Sequence, residues 1–94
     1  MKHWNITVRG KVQGVYFRLT TKAVADQLGV KGFVRNQEDG SAYIEAEGDD
    51  FALNSLLEFC REGPERAEVD DISCIAVDDI KGFQNFEVRK RKIN

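Results

Sequence analysis

Two stretches of this 94-residue chain carry residue types and spacings suited to chemistry on an anion. The first is Gly10-Lys11-Val12-Gln13-Gly14-Val15-Tyr16-Phe17-Arg18. It stands where alternating polarity gives way to helical periodicity, so successive backbone N–H groups and the positive end of a helix can converge on one point. Its glycines permit the tight path. Arg18, in the first helical turn, adds a planar fork able to grip two phosphoryl oxygens, which a lysine's point charge cannot match. The second stretch is Gly32-Phe33-Val34-Arg35-Asn36, followed by Gly40. Asn36 ends a strand beside a turn. Its carboxamide can accept from a water and fix its direction, or it can simply satisfy nearby backbone groups.

The elements that must position these residues are legible as periodicities. Trp4, Ile6 and Val8 alternate with Asn5, Thr7 and Arg9, the pattern of a strand with one buried face. From Phe17 the apolar positions become Phe17, Val24 and Leu28, with Thr20, Thr21 and Ala25 filling the stripe, and Gly29 ends the helix. Val30 to Asn36 reads as a second strand and Ala42, Ile44 and Ala46 as the buried face of a third, joined as a hairpin through Glu38-Asp39-Gly40. Asp49 or Asp50 caps a second helix, which shows Leu53, Leu56, Leu57 and Cys60 on one face and stops at Gly63-Pro64. Ala67 to Val77 is a fourth strand in which Ile72/Cys74/Ala76 and Ser73/Ile75/Val77 compete for the buried face. Phe86 and Val88 mark a short last strand after a loop from Asp78 to Gly82, and Lys90-Arg91-Lys92 reads as a solvated tail. The order β-α-β-β-α-β is that of an α+β, ferredoxin-like sandwich, an antiparallel sheet with both helices on one face. Residues 1–94 are expected to form one domain.

Such a topology hosts many functions, and the motifs narrow the choice. GKVQGVYFR resembles the acylphosphatase signature G-x-V-Q-G-V-x-F-R, and Gly32-Phe33-Val34-Arg35-Asn36-x-x-x-Gly40 resembles the second signature of that family. The resemblance extends over nearly the whole chain, since the family shares the βαββαβ order. It departs at Tyr16, where a smaller residue is common, at Ala42, where Val is usual, and in the basic end. The resemblance implies hydrolysis of the carboxyl–phosphate anhydride of an acyl phosphate to a carboxylate and inorganic phosphate. Arg18 would bind the phosphoryl group, the backbone N–H groups of Gln13, Gly14, Val15, Tyr16 and Phe17 would cradle it, and Asn36 would orient the attacking water. Inorganic phosphate, as the product, would inhibit competitively.

Few residues suffice for that reaction. The leaving carboxylate, with a pKa near about 4, departs unprotonated. Phosphoryl transfer through a loose transition state asks for positioning and charge stabilisation rather than a strong base. Arg18 and the loop amides can neutralise the group that a metal ion handles elsewhere, so neither metal nor cofactor is expected. His3, the one histidine, precedes the first strand and reads as a solvated terminus, and Asp39 reads as a turn residue.

The two cysteines, Cys60 and Cys74, form no CxxC pair and read as buried thiols. The first residues lack a hydrophobic signal segment and no long apolar run occurs, so the expectation is a cytoplasmic protein away from membranes, monomeric by default. Residues 1 to 35 hold seven Lys/Arg against Asp26 alone, while the whole chain is −2. A basic site able to attract a small anion within an otherwise acidic molecule fits that asymmetry, as do two differently charged solvated faces. Nucleic-acid binding on the open sheet face is disfavoured, because the outward positions Asn5, Thr7, Arg9, Tyr43, Glu45 and Glu47 offer one aromatic beside two carboxylates. The other alternative is a ferredoxin-like module that binds an anion without hydrolysing it.

Overall fold

The alternation at the start of the chain produces a longer strand than its apolar residues mark. In the computed structural model, which describes residues 1–90, β1 spans Lys2–Lys11, followed by α1 (Phe17–Leu28), β2 (Lys31–Asn36), β3 (Ala42–Gly48), α2 (Asp50–Glu62), β4 (Glu68–Val77) and β5 (Phe86–Arg89). Arg91 and Lys92 of the basic end lie outside the described residues. The sheet order is β4-β1-β3-β2-β5. The first four strands pair antiparallel, as expected of the ferredoxin-like order. β5 pairs parallel to β2, from Gly32 opposite Phe86 to Arg35 opposite Arg89. The sheet is therefore mixed at that edge, because the chain must cross from β4 at one edge to β5 at the other.

One face of the sheet carries the core. Ile6, Val8, Val34, Ala42, Ile44 and Ala46 are fully buried against Phe17, Ala25, Leu53, Leu56 and Cys60 of the two helices. Burial of a leucine such as Leu53 or Leu56 stabilises by about 1.5–3 kcal/mol, more than any single cap, so packing places the helices and caps refine them. α1 ends on Gly29 at φ 76, whose N–H reaches Asp26 O; its Phe17, Thr21 and Ala25 are buried while Val24 and Leu28 are half-buried.

β4 settles its own register. Ile72, Cys74 and Ala76 lie opposite Val8, Ile6 and Trp4, on the helix side. β4 is an edge strand, however, so only its Val69 and Ile72 pack against the core. Cys74 is exposed rather than buried, whereas Cys60 is buried and its thiol is pushed up to about 12 by burial. The pairing slips between Arg9 and Gly10, where a Cβ on Gly10 would meet Glu68 O at 2.1 Å. Gly10 thus serves a β-bulge against β4 rather than the loop that follows.

The face away from the helices differs most from expectation. Glu45 is 8% exposed, Glu47 1% and His3 1%, so none of the three is a solvated side chain. The segment between β4 and β5 runs across them. Glu47 accepts hydrogen bonds from the backbone N–H groups of Lys81, Gly82 and Phe83, and Lys81 Nζ lies 2.8 Å from Glu45 Oε1. His3 Nδ1 is 2.7 Å from Glu47 Oε2, and its Nε2 is 3.1 Å from Glu45 Oε1 and 3.0 Å from Asn5 Oδ1. Burial pushes both carboxyls up, but hydrogen bonds outweigh it and hold them below the ordinary carboxylate value: from Lys81 and Tyr43 on Glu45, and from His3 and the three amides on Glu47. The face also holds three aromatics rather than one. Phe33 packs against Phe83 and Tyr43, with the Arg89 guanidinium 4.1 Å and that of Arg35 5.7 Å from its ring centre, and Phe33 is 4% exposed.

Candidate functional site

At the opposite end of the sheet from His3, β1 runs out into the glycine loop and β2 into its turn. The loop path from Val12 to α1 turns through two left-handed residues, Gly14 at φ 73 and Tyr16 at φ 62. Glycine adopts this region freely, but Tyr16 is the one non-glycine in it among the described residues, and such residues persist where surrounding structure fixes them. Here the flanking Val15 and Phe17 are buried, 6% and 1% exposed. They pin the loop from both sides and leave the Tyr16 ring outside at 69%.

That path leaves backbone donors without partners in the fold. Among the described residues the N–H groups of Gln13, Gly14, Val15, Tyr16 and Phe17 donate to no protein acceptor. α1 starts without a side-chain cap and without an acidic residue in its first turn. Among the described residues, neither a cap nor an acid of its own first turn therefore offsets the positive end of the helix. Free donors at an uncapped helix start are able to take an anion.

Arg18 emerges from the first turn of α1, and its Nη1 donates to Arg89 O at 3.0 Å. One corner of the guanidinium is thereby tethered to the last strand, leaving the remaining N–H groups for another acceptor. Arg18 and Asn36 line the same cavity, of about 430 Å³, together with Val12, Gly14, Tyr16, Phe17, Leu19 and Val88. Two residues from separate motifs, 18 and 36 in the chain, thus line one cavity. Asn36 Oδ1 is buried and accepts no hydrogen bond; it is the one such side-chain atom among the described residues. This oxygen does not serve nearby backbone groups.

The turn beyond Asn36 is held by its own network. Gln37 N donates to Ser41 O at 2.8 Å, Gly40 N to Gln37 O at 3.1 Å, and Gln37 Nε2 to Ser41 Oγ at 2.9 Å. Asp39 Oδ1 accepts from both Ser41 N and Ser41 Oγ, at 2.9 and 2.6 Å. The Ser41 side-chain and backbone bonds hold the Asp39 carboxyl below its ordinary value, so it is a turn residue as read. Gln13 joins this network from the glycine loop: its Nε2 donates to Gln37 O at 2.8 Å and Ser41 O at 3.1 Å.

Two participants escape sequence reasoning. The Arg89 carbonyl has no side-chain signature, and its pairing with Arg18 spans 71 residues. The Gln13 side chain sits in plain view within the motif, yet only its backbone N–H has an obvious use there.

The family model described as Acylphosphatase matches residues 4–88. An acylphosphatase of Marinobacter nauticus is 44% identical over 86 residues, 92% of this chain and 94% of that protein. One from Haloarcula marismortui is 45% identical over 85 residues, 90% of this chain and 92% of that one. The crystal structure of acylphosphatase from Bacillus subtilis superposes with a TM-score of 0.92 at 36% identity, covering 95% of this chain and 99% of that chain. Motifs, topology and whole-length similarity agree, and the chain belongs to the acylphosphatase family.

Proposed function

We propose that Arg18 and Asn36, with the amides of residues 13–17, carry out the acylphosphatase reaction of this chain. That reaction is the hydrolysis of an acyl phosphate to a carboxylate and inorganic phosphate. The observation that carries the assignment is the cavity that the tethered Arg18 and Asn36 both line, with Asn36 Oδ1 buried and without a hydrogen-bond partner.

The phosphoryl group sits over the loop, where its oxygens accept from the free N–H groups and from the Arg18 guanidinium. Asn36 Oδ1 accepts a hydrogen bond from the attacking water and aims it at phosphorus, a geometric contribution that needs no deprotonation beforehand. The P–O bond to the acyl group breaks as the water oxygen bonds to phosphorus, and the carboxylate leaves with the electron pair. A proton from the water passes to phosphate or solvent. The charge that develops on the equatorial oxygens falls among donors already in place. In this scheme the guanidinium and helix end stand in for a metal ion. Inorganic phosphate occupies the same cradle and competes with substrate.

Release of phosphate from benzoyl or acetyl phosphate in EDTA tests the scheme, with phosphate monoesters as controls. Asn36→Ala should lose at least about 100-fold in kcat while the inhibition constant for phosphate moves less than about threefold. Turnover near that of the parent in this variant would return Asn36 to the turn. Phosphate binding without turnover in the parent chain would favour the anion-binding module instead.

A further inference from the structure

The cradle and the water-orienting residue arrive from different parts of the chain. The loop lies between β1 and α1, Asn36 at the end of β2, and no ladder hydrogen bond joins loop to turn, since the β1–β3 pairing ends at Val8 opposite Ala42. In-line attack nevertheless requires the two to keep a fixed separation, and a misplacement of about 1 Å can cost about 100-fold in rate.

We propose that the side chain of Gln13 is a positioning residue that sets this separation. Its single amide nitrogen spans two carbonyls, those of Gln37 and Ser41, which are the two ends of the turn that follows Asn36. Both N–H groups of the carboxamide are used, so the turn cannot drift from the loop without breaking both bonds. The Gln37 carbonyl belongs to the residue next to Asn36, so anchoring it fixes the backbone from which the Asn36 side chain projects. The turn is itself closed by the Gln37, Gly40 and Ser41 bonds and by Asp39, and it therefore moves as a unit. A neutral donor suits this point: a lysine would add a further cation to a loop already followed by Arg18 in sequence, and a carboxylate would face two carbonyl oxygens with nothing to donate. Glutamine meets the need for length, two donors and neutrality.

The inference rests on the role given above to Asn36 and adds to it. Gln13 touches no reacting atom; it acts through the turn. Its loss should therefore lower kcat, which depends on the water's aim, and leave phosphate binding, which depends on the cradle.

The test compares Gln13→Ala, Gln13→Met and Asn36→Ala with the parent chain. Acyl phosphate hydrolysis is measured per folded molecule, phosphate inhibition is measured alongside, and folding is followed by circular dichroism. Methionine matches the length of glutamine and keeps the packing while removing both donors. Expected is a fall in kcat of about 10-fold or more in both Gln13 variants, with the phosphate inhibition constant within about threefold. Normal kcat per folded molecule would overturn the proposal, because the tie would then be only a fold contact. An inhibition constant that rises as much as kcat falls would overturn it too, by making Gln13 a shaper of the cradle. Failure of both Gln13 variants to fold would reassign the tie to folding and overturn it likewise. Normal turnover in Asn36→Ala would instead remove the reading on which the inference rests, whatever the Gln13 variants do.

Discussion

The two helices begin in opposite ways. α2 opens on Asp49 in extended conformation, whose side chain accepts from Ala52 N at 2.8 Å, and Asp50 adds an acid to the first turn. α1 opens on Tyr16 in left-handed conformation, with no side-chain cap and no acid. The α2 start gives one of its free donors, Ala52 N–H, to its own cap side chain and lies against Lys2, whose Nζ is 2.8 Å from Asp50. The start of α1 keeps its donors free. Both are stable elements because both bury an apolar face, and packing outweighs the roughly 1 kcal/mol that a cap supplies. What the contrast teaches is that an uncapped helix start, held in place by packing on either side, is a place where an anion can take the position a cap would have filled.

The largest effect should come from removing the charge that completes the α1 end. Arg18→Ala is expected to lose about 10³-fold or more in kcat/KM, at least roughly 4 kcal/mol, and Arg18→Lys to recover little of it. Folding should be unaffected, since the helix is anchored by Phe17, Thr21 and Ala25. Hydrolysis assays paired with circular dichroism decide the matter, and a folded Ala variant with more than about a tenth of parent activity would break the scheme.

A smaller effect should follow from making α1 resemble α2. Tyr16→Asp places a carboxylate at the open helix start, and aspartate tolerates the left-handed backbone there. Phosphate inhibition should weaken by about 10-fold or more from like-charge repulsion, with little change in the denaturation midpoint. Unchanged phosphate inhibition would mean that the helix end contributes nothing to anion binding.

Making α2 resemble α1 should have the smallest effect, and in a different observable. Asp49→Ala should cost about 1 kcal/mol of stability in urea titration and leave kcat/KM within about twofold. A selective loss of turnover there would show that the two helix starts are not functionally separate.

Much of this was legible beforehand because the informative signals were local. Glycine spacing, the shift from period 2 to period 3.6, and the Asp49 cap each depend on a few neighbouring residues, whereas the roles proposed for Arg18 and Asn36 were implied by the family resemblance. The pairing of the two motifs across one cavity was expected only through the family resemblance. The far face could not be read, since alternation tells which residues share a side of a strand but not what will later cover that side. Glu45 and Glu47 look like solvent-facing acids until the segment containing Lys81, Gly82 and Phe83 is laid over them. His3 looks like a terminus until the same carboxylates meet it. Cys74 failed in the reverse sense. It lies on the apolar side of β4, but an edge position leaves that side partly uncovered. Gly10 belongs to the motif by spacing and to the β1–β4 bulge by contact, a division that only long-range pairing reveals.

The hydrogen bond from Arg18 to the Arg89 carbonyl has a consequence in time. Its partners are 71 residues apart, and β5 reaches its place only after the preceding segment has crossed the whole sheet. Closing so long a loop is entropically costly, and folds dominated by distant contacts form slowly. The glycine loop and helix can form early from neighbouring residues, but the arginine is not held until the last strand docks against β2. Turnover in a refolding sample therefore marks the end of folding rather than its nucleus. A molecule with all its helices and most of its sheet can still lack a tethered Arg18.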